Sequence, residues 1–105
     1  MNNKFGLGDP VLKEIQAVLF ASLANKKSSS VFVFGSRAIG KFRKYSDLDL
    51  WIEAEPELSA AELSLLKEKF DESEIPIKID IVTPGTCLEE YQPRIQIEKV
   101  FWFSR

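Results

Sequence analysis

The sequence contains no histidine and a single cysteine, Cys87, and these two shortages exclude several classes of chemistry. Without histidine there is no Ser-His-Asp or Cys-His nucleophilic site, no histidine-ligated metal and no histidine proton shuttle. One cysteine also excludes an internal disulfide and a cysteine-cluster metal site. Any reaction therefore has to use carboxylates, hydroxyls, lysines, arginines and hard metal ions.

Long apolar segments are scarce as well. Runs such as Val31–Phe34 are far shorter than the roughly 18 residues that cross a bilayer. The first ten residues lack the apolar centre of a signal peptide, so we expect a cytoplasmic protein with no membrane partner. The 105 residues, with 14 Lys and Arg against 16 Asp and Glu, predict one domain over residues 1–105 and argue against nucleic acid as a direct partner.

Apolar periodicity predicts helices that alternate with short strands. Helical spacing predicts an amphipathic helix over residues 10–25 with Asp9 as its N-cap. Strand patterns follow at Val31–Phe34, at Ser46–Ala54 and after Pro76.

Three further signals complete the prediction. A capping box that begins at Ser59 predicts a helix over residues 60–72, Pro93 opens a short helix, and Val100–Phe103 is typical of a last strand. The resulting order predicts an α/β (α+β) fold, in which helices pack on a small mixed sheet.

The first candidate binding motif is Gly35-Ser36, at the end of the buried strand. Glycine lets a phosphate approach the backbone, and a following helical turn offers N–H groups to an anion. An ordinary strand-to-loop turn would have the same two residues.

Three aspartates form the second candidate motif. Period two along a strand places Asp47 and Asp49 on one face, and Asp80 lies in the middle of another strand, where a carboxylate needs a partner. If the two strands are neighbours, the three carboxylates meet on one face, and such oxygen ligands favour Mg²⁺ or Mn²⁺. The alternatives are a solvated acidic strand edge, and for Asp80 a salt bridge with Arg37 or Lys41.

Together, GSRAIGKFRKYSDLDL and the downstream KIDIV resemble the nucleotidyltransferase superfamily of DNA polymerase beta, and in particular its minimal nucleotidyltransferase (MNT) branch. The resemblance covers residues 10–103. It implies a nucleotidyltransferase fold and an enzyme that transfers a nucleoside monophosphate while pyrophosphate leaves. Gly35 and Ser36 would hold the triphosphate and Arg37 would assist. Asp47, Asp49 and Asp80 would be the catalytic residues that bind two Mg²⁺ ions, with Mn²⁺ as an alternative metal.

The resemblance also suggests a partner, since MNT proteins are commonly encoded beside a helical HEPN protein. The implied reaction is transfer of AMP from ATP to a HEPN tyrosine, which would make this chain an antitoxin. Many relatives have a second arginine where this sequence has Ile39, which favours the alternative of a nucleotide-binding antitoxin without turnover. A third alternative is the catalytic subunit of a transferase for a small molecule or RNA. The predicted partner surface consists of aromatic residues, with core packing as the alternative: Trp51, Trp102 and Phe103.

Overall fold

The computed structural model describes residues 4–105, which form one four-stranded sheet with helices packed on it. The elements are α1 (Asp9–Ser22), β1 (Ser28–Phe34), β2 (Leu48–Glu55), α2 (Ala60–Asp71), β3 (Ile79–Val82), a 3₁₀ turn (Glu89–Tyr91), α3 (Gln92–Glu98) and β4 (Val100–Ser104). The predicted order and the predicted α/β class are confirmed. None of the helices in residues 4–105 is long and apolar enough to cross a membrane.

The sheet is mixed and has the order β3-β2-β1-β4. Its two central strands, β1 and β2, are antiparallel, and β4 pairs antiparallel with the other edge of β1. In contrast, β2 and β3 are parallel, which requires a crossover, and α2 supplies it. The parallel pairing of β2 and β3 determines the position of two candidate site residues, because it places Asp49 directly beside Asp80.

The two faces of the sheet have different roles. Alternate residues of the central strands, such as Val33 and Leu50, point into the apolar core together with Ile15 and Leu19 of α1 and Leu66 of α2. The opposite face carries a mixture of polar and aromatic side chains, and Ile95 of α3 is buried outside the main core cluster. Because side chains alternate along each strand, one face of the sheet packs in the core and the polar side chains of the candidate site lie on the other face.

Four of the predicted ends of elements are corrected by the structure. Helix α1 begins one residue earlier than predicted, with Gly8 rather than Asp9 as N-cap, because Asp9 is already helical. It ends at Ser22, because Leu23 leaves the helix and packs in the core. The first strand starts at Ser28, since its serines pair with the end of β2. The second starts at Leu48, two residues later than predicted.

The predicted start of α2 is confirmed. The Ser59 hydroxyl accepts from the Glu62 N–H at 3.1 Å, and the Glu62 carboxylate accepts from the Ser59 N–H at 2.9 Å. Glu62 also accepts from Lys26 Nζ at 2.7 Å, which joins the start of α2 to the segment between α1 and β1.

The aromatic residues predicted for a partner surface lie mainly inside the molecule. Trp51 is 1% exposed and donates its indole N–H to Glu53 at 2.8 Å, while Phe103 is buried in the core. Trp102 is partly buried and packs edge-on against Phe103 and Phe5. Core packing, the alternative weighed for these residues, is therefore correct for Trp51 and Phe103.

Candidate active site

Gly35 ends β1 in a conformation that only glycine adopts readily. Its φ is +75°, and a Cβ at this position would collide with the Asp49 carboxylate. The chain then turns, with the Ala38 N–H donating to the Gly35 carbonyl and the Lys41 N–H donating to the Ser36 carbonyl. The predicted phosphate-binding backbone therefore lies directly against one of the predicted metal ligands.

Asp49 and Asp80 lie side by side on β2 and β3, as predicted. On the other side of β2, Phe34 of β1 is paired with Asp49. Phe34, Asp49 and Asp80 therefore form one row across three strands, and Gly35 follows Phe34 at the end of this row. Lys78 forms an ion pair with Asp80 at 3.5 Å, which replaces the partners Arg37 and Lys41 considered above.

The neighbouring carboxylates and partial burial both change the pKa of Asp49. Partial burial and the negative charges of Asp80 and Asp47 raise the pKa of Asp49 to about 6, and a hydrogen bond that protonated Asp49 donates to Asp80 adds to this shift. The positive charge of Lys78 opposes the rise. A raised pKa of this kind marks a carboxylate that lacks a full counter-charge.

Asp47 has a different position from the one predicted. It lies just before β2, exposed to solvent, so the period-two argument does not apply to it. Its charge still reaches Asp49. Within residues 4–105, no three acidic, cysteine or histidine side chains already stand in an arrangement that could hold a metal ion, and Asp47 is the most exposed of the three aspartates.

The donor chemistry nevertheless fits a hard divalent cation. All three side chains offer carboxylate oxygens, and the raised pKa of Asp49 means that a positive charge at this row would relieve repulsion. The missing Cβ of Gly35 lets the Asp49 carboxylate lie directly against the backbone of the turn that follows β1. Asp49 and Asp80 could therefore bind a cation with Asp47 completing the set from its loop.

Arg37 does not have the position that a phosphate contact requires. Its guanidinium is buried, and it donates to the carbonyls of Phe5 (2.8 Å), Ser46 (3.0 Å), Lys44 (3.0 Å) and Arg43 (3.3 Å). Three of these acceptors belong to the loop that leads to Asp47. We therefore correct the predicted nucleotide-binding role of Arg37: this side chain holds the loop that carries Asp47.

A cavity of about 390 Å³, which we call the α3 pocket, adjoins the site. It lies between α3 and the second face of the sheet, and its walls include Phe34, Gly35, Val82, Cys87, Tyr91 and Ile95. The sequence alone predicts no function for the pocket residues Val82 and Cys87. No local pattern identifies this pocket, because its walls come from segments that meet only in the folded chain.

Comparison with known proteins identifies the family. Over residues 16–102 the sequence matches the model of a family described as a nucleotidyltransferase domain. The chain belongs to this family. The predicted resemblance and the predicted class of enzyme are thus confirmed.

One curated relative and two solved structures agree with this assignment. The relative is from Haemophilus influenzae, is named "Probable protein adenylyltransferase MntA", and is 42% identical over 67 residues, or 64% of this nucleotidyltransferase and 59% of the relative. The chain therefore spans about three fifths of that protein's length.

Among solved structures, one described as a minimal nucleotidyltransferase has a TM-score of 0.65 and 24% identity, with 94% of this chain and 96% of that chain covered. Another, described as a nucleotidyltransferase from Sulfolobus solfataricus, has a TM-score of 0.58 and 22% identity over 91% of this chain and 79% of that one. These two likenesses confirm the predicted fold.

Proposed function

We propose that this nucleotidyltransferase uses ATP and Mg²⁺ to transfer AMP to a hydroxyl group on a HEPN protein, most specifically a tyrosine, and thereby acts as its antitoxin. The observation that carries the proposal is the contact between Gly35 and Asp49, with Asp80 directly beside them. It joins a backbone suited to phosphates to carboxylates suited to a metal.

Each residue then has a defined part in the reaction. The backbone at Gly35 and Ser36 holds the β- and γ-phosphates, while Asp47, Asp49 and Asp80 provide oxygen ligands for two cations. Bound divalent cations supply charge neutralisation at the attacking and leaving oxygens. Asp80, at the edge strand β3, aligns the acceptor hydroxyl and accepts its proton.

The chemical step is an in-line displacement. The acceptor oxygen forms a bond to the α-phosphorus, the bond between that phosphorus and the oxygen bridging to the β-phosphate breaks, and pyrophosphate leaves. The chain's own residues position the reactants and hold their charges, which is the main contribution of proteins to phosphoryl transfer.

Two observations support a protein acceptor. The relative from Haemophilus influenzae is named as a protein adenylyltransferase. In addition, large apolar side chains near the end of the chain are exposed, among them Ile97 at 85% and Phe101 at 54%. These are different residues from the aromatic ones predicted above, and exposed apolar side chains suit a protein partner.

The test uses ATP labelled on its α-phosphate, Mg²⁺ and the HEPN protein encoded beside this chain. We expect label on the partner with the wild type and a loss of at least about 100-fold with D47N/D49N, because charge stabilisation by the metal site is removed. A matched control, D71N, removes an exposed carboxylate at the end of α2 and should label normally.

The other outcomes identify the alternatives. Burial of Arg37 leaves one fewer cation for the phosphates, which favours the antitoxin that binds without turnover. That function would follow from a stable complex in which none of the four nucleoside triphosphates gives label. Label on RNA or on a small hydroxyl compound would instead indicate the catalytic subunit of another transferase.

A further inference from the structure

Lys78 lies beside the candidate metal ligands and forms an ion pair with one of them. It directly precedes β3, two residues before Asp80. The isoleucines on either side of these two residues are buried in the core, so Lys78 and Asp80 share the opposite face of the sheet. Their Nζ and Oδ1 atoms are 3.5 Å apart. A cation of the chain itself therefore neutralises part of the charge at the candidate metal site.

The Lys78 backbone is fixed, whereas its side chain is free to move. The Leu48 N–H donates to the Lys78 carbonyl at 2.9 Å, which anchors this residue at the start of β2. The side chain of Lys78 is 67% exposed and that of Asp80 is 40% exposed. Exposed ion pairs of this kind contribute little to stability. The pair can therefore open while the sheet remains intact.

Lys78 differs in this respect from the other cations near the site. It is the cation whose positive charge opposes the rise in the pKa of Asp49. Arg37, by contrast, donates to backbone carbonyls. Lys44 precedes Asp47 and lies over the ring of Tyr45, and within the part of the chain that the structure describes it belongs to no ion pair.

We propose that Lys78 is a removable counter-ion of Asp80, which a divalent cation must displace, and that it thereby sets the affinity of the site for free metal ions. This inference rests on the proposed function, since it assumes that Asp49 and Asp80 bind a cation. Lys78 is a positioning residue in this scheme, because it acts through the Asp80 carboxylate. The motifs described above leave its side chain without a role.

Simple electrostatics explain why Lys78 opposes a bound metal ion. An ammonium group repels a divalent cation, and the Asp80 oxygen that contacts the ammonium is one that the metal requires. A nucleoside triphosphate brings negative charge of its own, which offsets this repulsion. Free cations should therefore bind weakly, whereas cations that arrive with a triphosphate should bind more tightly.

The test measures Mn²⁺ affinity without nucleotide, by electron paramagnetic resonance of the free ion. We expect K78M to bind Mn²⁺ at least about threefold more tightly than the wild type, because one nearby positive charge is removed. K78R keeps the charge and should bind as the wild type does. K44M is the matched control, since it removes an exposed lysine close to the site that has no carboxylate partner, and its affinity should change less than about twofold.

A second measurement follows the displacement itself. The NMR signal of the Lys78 side chain is recorded in the wild type without metal, in the wild type with saturating Mg²⁺, and in D80N. Addition of Mg²⁺ should move this signal towards its position in D80N, because both changes break the ion pair. The Lys44 signal should stay in place. A Lys78 signal that saturating Mg²⁺ leaves unchanged would overturn the inference.

The failures of the two proposals are distinguishable. If AMP transfer requires Mg²⁺ but K78M binds Mn²⁺ no more tightly than the wild type, this inference is wrong while the proposed function stands. Equal tightening by K44M would also overturn it, because the effect would then be one of general charge. If K78M binds Mn²⁺ more tightly but no acceptor receives AMP, the role of Lys78 stands and the proposed function is wrong.

Discussion

Asp49 is a residue whose proposed role in metal binding is unfavourable for the stability of the fold, because its negative charge is partly buried beside other carboxylates. It is partly buried beside two other carboxylates, and its pKa is raised to about 6 from a usual value of 3.8. The folded chain therefore binds a proton more tightly than the unfolded chain, and its stability falls as the pH rises from about 4 to about 6. Above pH 6 the molecule carries an unfavourable negative charge that a cation would relieve.

Replacement of Asp49 by asparagine should stabilise the chain while it abolishes transfer. In EDTA above pH 7 we expect the Tm of D49N to exceed that of the wild type by about 3–5 °C, which corresponds to roughly 1 kcal/mol or less after screening of a half-exposed group. The difference should disappear at about pH 4, where both side chains are neutral. Thermal melts between pH 4 and 8 measure this, and a lower Tm for D49N at pH 8 would contradict the electrostatic account.

Arg37 has a structural role that is equally testable. R37M removes the buried guanidinium that donates to four partly buried carbonyls, and we expect a loss of about 1–3 kcal/mol in the free energy of unfolding because these hydrogen bonds are lost. Urea unfolding measures this loss, with R43M as the control, since Arg43 is exposed. The AMP transfer rate should fall as well, because the loop before Asp47 is released. Unchanged stability would show that the hydrogen bonds in this loop are not needed.

At the scale of single residues, the sequence indicates which residues are candidates for the site better than it indicates which groups those residues contact. Gly35, Asp49 and Asp80 could be selected as candidates from the sequence, because a glycine at a strand end and a carboxylate within a strand are both unusual, and the structure places the three together. The position of the Arg37 side chain could not be predicted, since its acceptors are the backbone carbonyls of residues 5, 43, 44 and 46, and no side-chain pattern marks them.

Among the elements, α2 begins at an ion pair that also takes part in its cap. The Lys26 side chain is 3% exposed, and its Nζ lies 2.7 Å from Glu62, which also closes the capping box. Hydrogen bonds from Lys26, from the Ser59 backbone and from Asn25 lower the pKa of Glu62 to about 2. The stability that this pair contributes is complete above about pH 4.5 and is lost as the pH falls towards 2.

E62Q should therefore destabilise the chain at neutral pH and lose its disadvantage in acid. The glutamine leaves the buried Lys26 charge without its partner, which is the costly case for a buried ion pair. Urea midpoints measured from pH 7 down to pH 3 test this, with E68Q, at an exposed glutamate of the same helix, as the control. A constant difference between E62Q and wild type over this range would disprove the assigned pKa shift.

The types of the elements could be predicted from the sequence, whereas the first or last residues of several elements could not. The capping box fixes the start of α2 locally, so the prediction there is correct. By contrast, Ser28 and Ser29 enter β1 because the strand is paired at this point with the end of β2 and with Arg105. Such long-range pairing overrides the weak strand preference of serine, and no local signal reveals it.

For the whole molecule, we propose that the exposed apolar residues of α3 and β4 contact the partner. I97D should weaken binding to the proposed HEPN partner at least about tenfold, because a charge would be buried in the interface. Stability should change little, since Ile97 is 85% exposed. L65D is the matched control, because Leu65 is an exposed apolar residue on α2. Equal binding of both variants in a titration would place the interface elsewhere.

The most direct measurement compares two labels in one reaction. Wild-type chain, the HEPN protein and Mg²⁺ are incubated with ATP that carries its label on the α-phosphate or, in a parallel reaction, on the γ-phosphate. Nucleotidyl transfer at the Gly35–Asp49–Asp80 site predicts α-label on the partner, γ-label in free pyrophosphate, and loss of both signals in D47N/D49N. Appearance of γ-label on the partner, or α-label that persists in D47N/D49N, would contradict the account.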